Sequence, residues 1–426
     1  MTGSSSAASP ATPPDPSDLR AHRRLAPLRR SRGLVVTLGI LSACGPMAID
    51  MYLPAFPQMA AELGVSIAQV QWTLSAFLLG LAAGQVLYGT LSDHLGRRGP
   101  LLVGCLAYTA AGGVCVFAES ITWLIGARFL MGLGGSAGVV ISRAIVRDLF
   151  DQTQAARYLS LLMIIGGIAP IVAPFLGGVM LEYFPWRTIF WAVAGFGVVC
   201  LVMVWRVARE TLPPERRLHG NLAAVGIRYA RLIVDRRFLT PALAFGMGFG
   251  ALFTYITGSS GVFQGLYGVS PQAFSYFFAV NAFGSYAGGQ FNRVLLRWFD
   301  VRTILPTACV ANAVLTLGLL VVVAGGVGGL WTFAIVLCLS MASLSMVFPN
   351  ATAVAMSPFA RQAGTASALL GVFQYTLGGL AGGLLGMIAH DTAGGDSALP
   401  MAAIIFTCSA IGCAVYLLGR QRERQN

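Results

Sequence analysis

The chain has 426 residues, of which 56% are hydrophobic and only 10% charged, and it carries a formal net charge of +12. Soluble domains hold about 25% charged residues, so a mean hydropathy of +0.74 excludes an ordinary soluble enzyme and a disordered basic chain. Lysine is absent and the basic charge is all arginine; arginine on this scale can suggest nucleic acid, but its distribution argues against that partner.

Residues 1–33 are rich in Ser, Pro, Ala and Arg and lack apolar periodicity. They read as a disordered basic tail whose end can touch anionic lipid. Twelve apolar runs follow, centred near residues 45, 80, 108, 132, 169, 197, 249, 283, 312, 340, 375 and 408. A spanning helix needs about 20 apolar residues. The expectation is an all-α membrane protein with a six-helix bundle over 34–206, a linker over 207–237, a second bundle over 238–419 and a tail over 420–426. With twelve spans the arginine clusters fall on one side: Arg20 to Arg32, Arg97/Arg98, Arg143/Arg147/Arg157, Arg206 to Arg237, Arg293/Arg297/Arg302, Arg361 and Arg420/Arg422/Arg424. The opposite loops hold Glu62, Glu119, Glu182, Asp391 and Asp396, with Arg187 as their one basic residue. That asymmetry places both termini in the cytoplasm.

The first span contains Leu41-Ser42-Ala43-Cys44, which resembles a lipoprotein cleavage box. The apolar run continues to Phe56, so it reads as a span and not a signal peptide. Asp50 lies inside it, and an ionisable residue in lipid is a functional candidate by default. Pro54 lacks an N–H, so the carbonyl of Asp50 loses its helical partner and the backbone there is soft and polar. If the span exits near Pro57, Asp50 lies about 10 Å below that end at 1.5 Å per residue.

Between the second and third spans the chain reads Gly89-Thr-Leu-Ser-Asp93-His-Leu-Gly96-Arg97-Arg98-Gly-Pro-Leu-Leu102. A short basic loop between apolar spans is a cytoplasmic hairpin, and Gly96 frees the backbone to turn. Arg128 lies in the fourth span, about 12 Å from its start near Ser120. It is thus at the depth of Asp50 on an antiparallel helix. A carboxyl held between the cost of desolvation and the pull of a cation can load and release a proton; the same pair also fits a static buried ion pair. Gly132 and Ser136 share the face of Arg128 and leave room for a long cation or a close helix. Arg97 can pair with Asp148 or Asp151 beyond the fourth span.

In the fifth span, Gly166, Pro170, Pro174, Gly177 and Gly178 put two prolines on one face and let a neighbouring helix come close. A weak repeat relates Phe77–Gly89 to Phe277–Gly289, which supports two parallel halves. The glycines of the eleventh span, Gly378 to Gly386, read as packing at a moving interface. Eight cysteines lie within spans, without metal-ligand or disulfide spacing, and the histidines are isolated. No metal, cofactor or catalytic set is expected. Tyr52, Phe56, Gln85, Tyr255, Asn281, Phe348, Asn350, Gln374 and Tyr375 are the candidates to line a substrate cavity, although such residues also hydrogen-bond to neighbouring helices.

The Asp93 loop matches, except for His94, the loop signature of the major facilitator superfamily. Arg128-Phe-Leu-Met-Gly132-Leu-Gly134 and the Ala-Pro form of the fifth span resemble that family's proton-coupled antiporters. Together with Ile49-Asp50-Met51-Tyr52-Leu53-Pro54-Ala55, Trp186-Arg187-Thr188-Ile189-Phe190 and Phe348-Pro349-Asn350-Ala351, the chain resembles the Bcr/CflA (bicyclomycin/chloramphenicol resistance) branch of twelve-helix drug:proton antiporters. The resemblance implies the major facilitator fold and a monomeric, multi-pass exporter of small drugs in the bacterial inner membrane. Its energy source would be the proton gradient. Asp50 would then be the proton site, Arg128 its electrostatic partner, and Gly89, Asp93, Gly96, Arg97, Arg98 and Asp148 a cytoplasmic latch, with Asp93 against the start of the eleventh helix near residues 362–365. An exporter of a metabolite such as cysteine is the alternative; a passive channel or a signalling protein leaves the Asp, the Arg and the latch without a purpose.

Overall fold

The computed structural model describes residues 32–217, 222–391 and 397–425. The tail expected over 1–33 therefore lies outside the described residues, apart from Arg32 and Gly33. The regular structure among the described residues is all helical. Ten elements are long and apolar enough to cross a membrane: α1 Gly33–Leu63, α2 Ile67–Leu95, α3 Arg98–Val116, α4 Ile121–Leu149, α6 Arg187–Val207, α7 Arg236–Leu266, α9 Val301–Ala324, α10 from Gly329, α11 from Ala363 and α12 from Leu399. The long helices α5 (Gln152–Tyr183) and α8 (Pro271–Leu295) complete twelve. The helix Leu222–Val234 lies in the connection between the halves. The last helix runs on to Gln425, so residues 420–425 continue it.

The chain crosses back and forth, and the helix starts differ on the two faces. On the face away from the termini, the Ser66, Ser120 and Ser270 hydroxyls accept the first free N–H groups of α2, α4 and α8. On the terminal face, carboxylates do this: Asp151, Asp235 and Asp300 cap α5, α7 and α9, where a negative charge also complements the helix dipole. The helix α1 breaks at the place expected from Pro54. One segment ends at Asp50, a 3₁₀ turn covers Leu53–Ala55, and the helix restarts at Phe56, because Pro54 cannot donate to the carbonyl four residues back.

Close packing inside each half uses missing side chains. A Cβ on Gly80 or Gly132 would overlap the carbonyl oxygens of Phe129 and Phe77, so α2 and α4 touch backbone to backbone. Of the two options for the face of Arg128, the close helix is the one realised. The repeat has a counterpart in packing: Gly84 meets α4 at Ser136, and Gly284 and Gly288 meet α10 at Cys338 and Ala342. The two halves join through α2 against α11, where Gly379, Gly382 and Gly386 face Leu79, Ser75 and Trp72, and through α5 against α8. In the latter, the Ser275 hydroxyl donates to the Pro174 carbonyl at 2.9 Å. Gly177 lies on the Met51 carbonyl, which seats α5 against the break in α1.

Candidate functional site

A cavity of about 460 Å³ lies between the halves, lined from α1, α4, α5, α7, α8, α10 and α11. It occupies the terminal half of the protein, below the contacts between α5 and α8. Its charged lining residues are Asp50 and Arg143. Asp50 is 3% exposed, and its Oδ1 has no hydrogen-bond partner among the described residues. Ser142 Oγ and Asn281 Oδ1, on the same walls, are also buried without a partner among them. Buried polar atoms are almost always satisfied, and these three orphans all belong to residues that line one cavity.

Aromatic rings form the rest of the wall. Tyr255 stacks on Phe278 with centroids 5.5 Å apart, and Phe348 stacks on Phe249 at 4.2 Å. Gln374 and Tyr375, both expected there, also line the cavity, as does Pro170 of the fifth-span set. Four of the nine expected cavity residues lie elsewhere. Tyr52 and Phe56 are sealed in the core of the first half, ring against ring at 5.1 Å, with Tyr52 Oη 3.2 Å from Thr73 Oγ1. Gln85 is buried between α2 and α11 beside Gly371. The side-chain amide of Asn350 donates to Asn292 Oδ1 at 2.6 Å and to the Met346 carbonyl at 2.7 Å, tying α10 to α8.

Two contacts between α1 and α4 set the relative depth of Asp50 and Arg128. The face of Gly138 meets the Leu41 carbonyl, and the Arg128 guanidinium lies over the Tyr52 ring. Ten residues along α4 thus match eleven along α1, which puts Arg128 within about one turn of the level of Asp50. The side chains nonetheless diverge, and neither takes part in a salt bridge among the described residues. Arg128 is fully buried, 4.3 Å above Tyr52, 4.4 Å from Phe77 and 5.8 Å from Phe190, while Nε and Nη2 find no hydrogen-bond acceptor among the described residues. A static Asp50–Arg128 ion pair is therefore not present in this state. Ring faces carry negative potential and take the place of a counter-ion.

The loop after α2 forms a second polar centre. Gly96 has φ +97°, in the region that side chains avoid, and a Cβ there would collide with the Glu210 carboxylate. Arg97 donates from Nε to Asp148 Oδ2 at 2.8 Å, and from Nη1 to Asp93 Oδ1 and to Ser92 Oγ. Burial works against its charge, but the hydrogen bonds and charges of Asp148 and Asp93 outweigh it and hold its pKa above the ordinary arginine value. Glu210, at the start of the linker, accepts the backbone N–H groups of Arg97, Arg98, Thr211 and Leu212 at 2.8–3.3 Å. Thr211 Oγ1 donates to Asp148 at 3.2 Å, and Arg98 Nη2 donates to the Trp205 carbonyl.

Every partner named in this centre belongs to the first half or to the linker start. It ties α2, α3, α4 and the end of α6 together while the cavity lies in the same half of the membrane. These contacts, expected to form a cytoplasmic latch, hold together within the first half and the linker start. Asp151 caps α5 and does not pair with Arg97. A Cβ on Gly89 would stand in ordinary contact with the Val140 side chain of α4. The expected seat of Asp93 near residues 362–365 includes Ala363, whose side chain lies outside the described residues, as do the surroundings of Gly166.

Two residues carry more of the geometry than the sequence suggested. Arg143 was visible only as part of a basic cluster; its spacing of four from Val139, which also lines the cavity, is the signal that was available. Glu210 sits as an acid in an arginine-rich linker, which has no periodicity to show where it points.

Among the described residues, twelve long helices, ten of them long and apolar enough to cross a membrane, form two joined halves around a central cavity; this is the architecture of a membrane transporter, not of an enzyme. Residues 38–383 match the Major Facilitator Superfamily, and the chain belongs to that family. It is 37% identical over 400 residues to the uncharacterized MFS-type transporter YdgK of Bacillus subtilis, covering 92% of this chain and 97% of that one. It is 31% identical to a bicyclomycin resistance protein homolog of Haemophilus influenzae, covering 90% and 94%. Among solved structures, a mutant of the nucleoside transporter NupG shares the fold, with a TM-score of 0.72 at 12% identity over 91% of this chain and 99% of that one. The likeness to the bicyclomycin resistance branch thus extends over nearly the whole chain.

Proposed function

We propose that the protein is a proton-coupled antiporter that exports small drugs across a bacterial inner membrane by alternating access. The observation that carries this reading is Asp50. It is a carboxylate at membrane depth, at the inner wall of a cavity between two halves, with an oxygen that no described residue satisfies. Such a group can exchange a proton for a substrate as access changes sides. The kinship with a bicyclomycin resistance homolog supports a drug as cargo, and the aromatic walls suit apolar, drug-sized guests.

The arginine-rich face carrying the termini is taken as cytoplasmic. The cavity in that half then corresponds to the inward-facing state, ready to load. The proton gradient is the energy source, no cofactor is required, and one chain suffices. Export of a zwitterionic metabolite, such as cysteine, is the second reading, favoured by Arg143 on the cavity wall, which can hold a carboxylate.

The test is a substrate screen in a strain lacking its own pumps, read as intracellular accumulation. Lowered accumulation of drugs such as chloramphenicol, restored by an uncoupler, supports antiport. Flux that persists without a gradient contradicts it.

A further inference from the structure

A second cavity, of about 1090 Å³, opens on the terminal face of the second half, where α7 and α9 begin and α10 and α12 end. Arg236, Arg237, Arg302 and Arg420 line it together with Asp235. Four positive charges against one negative leave +3. Asp235 is already engaged, its Oδ1 accepting the Arg237 backbone N–H at 2.9 Å. Among the described residues none of the four guanidinium groups has an ion-pair partner, in contrast to the first half, where Arg97 is held by two carboxylates.

Arg236, Arg237 and Arg302 are exposed and Arg420 is half-buried, so the cavity is open to the terminal face. These four come from three helices and converge on one concavity, with the hydroxyl-bearing Ser357, Thr240 and Tyr416 on its walls. Arginine forks match phosphate oxygens in pairs. The cavity also borders apolar helix surface: Leu418, on its wall near the end of α12, is 60% exposed. A phosphate in the cavity would lie at headgroup depth, with acyl chains free to run along α9 and α12. Basic pockets between membrane helices are where anionic headgroups bind.

We propose that this cavity binds the phosphate of an anionic phospholipid. Its excess charge suits a headgroup with two phosphates better than one with a single charge. Free inorganic phosphate offers the same chemistry, so the experiment separates the two sources.

The full-length protein, delipidated in detergent, is mixed with cardiolipin, phosphatidylglycerol, phosphatidylcholine or inorganic phosphate, and bound lipid is counted by native mass spectrometry. The expected result is at least ten-fold greater retention of cardiolipin than of phosphatidylcholine. The Arg302→Gln/Arg420→Gln double variant should lose that preference. The Arg293→Gln/Arg297→Gln double variant, which removes the same charge from the same face outside the cavity, should keep it. Equal retention by the Arg302/Arg420 variant and the parent would overturn the proposal. So would an equal loss in the Arg293/Arg297 variant, which would mean diffuse surface charge. Displacement of the lipid by an equal concentration of inorganic phosphate would make it a free-anion site and overturn the lipid assignment. Should the double variant not fold, the single variants Arg302→Gln and Arg420→Gln are measured, each expected to weaken retention about three-fold; two unchanged singles would overturn the proposal as well.

Discussion

Arg128 lies 4.3 Å over the ring of Tyr52, two residues along the chain from Asp50, yet it makes no ion pair with Asp50. Asp50 faces the cavity and Tyr52 faces the core of the first half. One break in α1 thus sends a carboxylate to the substrate side and an aromatic ring to the cation.

The ring covers a buried charge that also meets the Met131 sulfur, 3.6 Å from Nη1, so Tyr52→Leu should destabilise the protein more than the lost area implies. A desolvated cation–π contact is worth about 2 kcal/mol. Thermal unfolding in detergent is the measurement, with Tyr52→Phe as the comparison. Phe keeps the ring and should behave nearly as the parent. Equal melting of Tyr52→Leu and Tyr52→Phe would show that the ring does not hold Arg128.

Glu210 satisfies four backbone N–H groups at once, two of them at the start of α3. Glu210→Ala should loosen the linker start from the Arg97 loop, at a cost of about 1–3 kcal/mol for the donors left unpaired. Faster amide exchange at residues 97–98 and 211–212, with the cavity helices unchanged, is the expected pattern. Unchanged exchange there would mean that water replaces the carboxylate without cost.

Gly177 is a contact that admits no side chain, since a Cβ would overlap the Met51 carbonyl. Gly177→Val should push α5 off the break in α1 and slow transport at least ten-fold while the protein still inserts. Gly195→Val is the control, because nothing lies within 4 Å of its Cβ position. Similar transport by both variants would show that the α1–α5 contact is not used.

Arg143 shares a cavity with Asp50 and sits nearer the terminal face. Arg143→Gln should weaken binding of substrates carrying a carboxylate about ten-fold or more and leave neutral and cationic ones within about two-fold, since a charge-assisted hydrogen bond contributes roughly 1.5–3 kcal/mol. Direct binding to the purified protein decides it; a uniform loss over all substrate charges would make Arg143 structural.

Much of this was legible in the sequence, for physical reasons. Long apolar runs can only be spans, Pro54 must break its helix, and Arg97 with Asp148 is a pairing of opposite charges that the connection lengths allow. The direction of Tyr52 was not legible. Helical phase carries about 100° per residue only while the helix is intact, and the turn at Met51–Tyr52 resets it. Asn350 was misplaced for another reason. A polar side chain at membrane depth needs a partner, and sequence does not separate a neighbouring Asn292 from a guest in a cavity. Glu210 lies in irregular chain, where no periodicity points.

The most direct measurement of the central claim is proton movement in proteoliposomes holding a pH-sensitive dye, with a substrate found by the accumulation screen. The parent protein should move protons against the substrate flow. Asp50→Asn, which keeps the shape but cannot exchange a proton, should reconstitute to the same level and move none. Proton flux by Asp50→Asn equal to that of the parent would contradict the account, and the coupling group would then have to be sought outside the cavity wall.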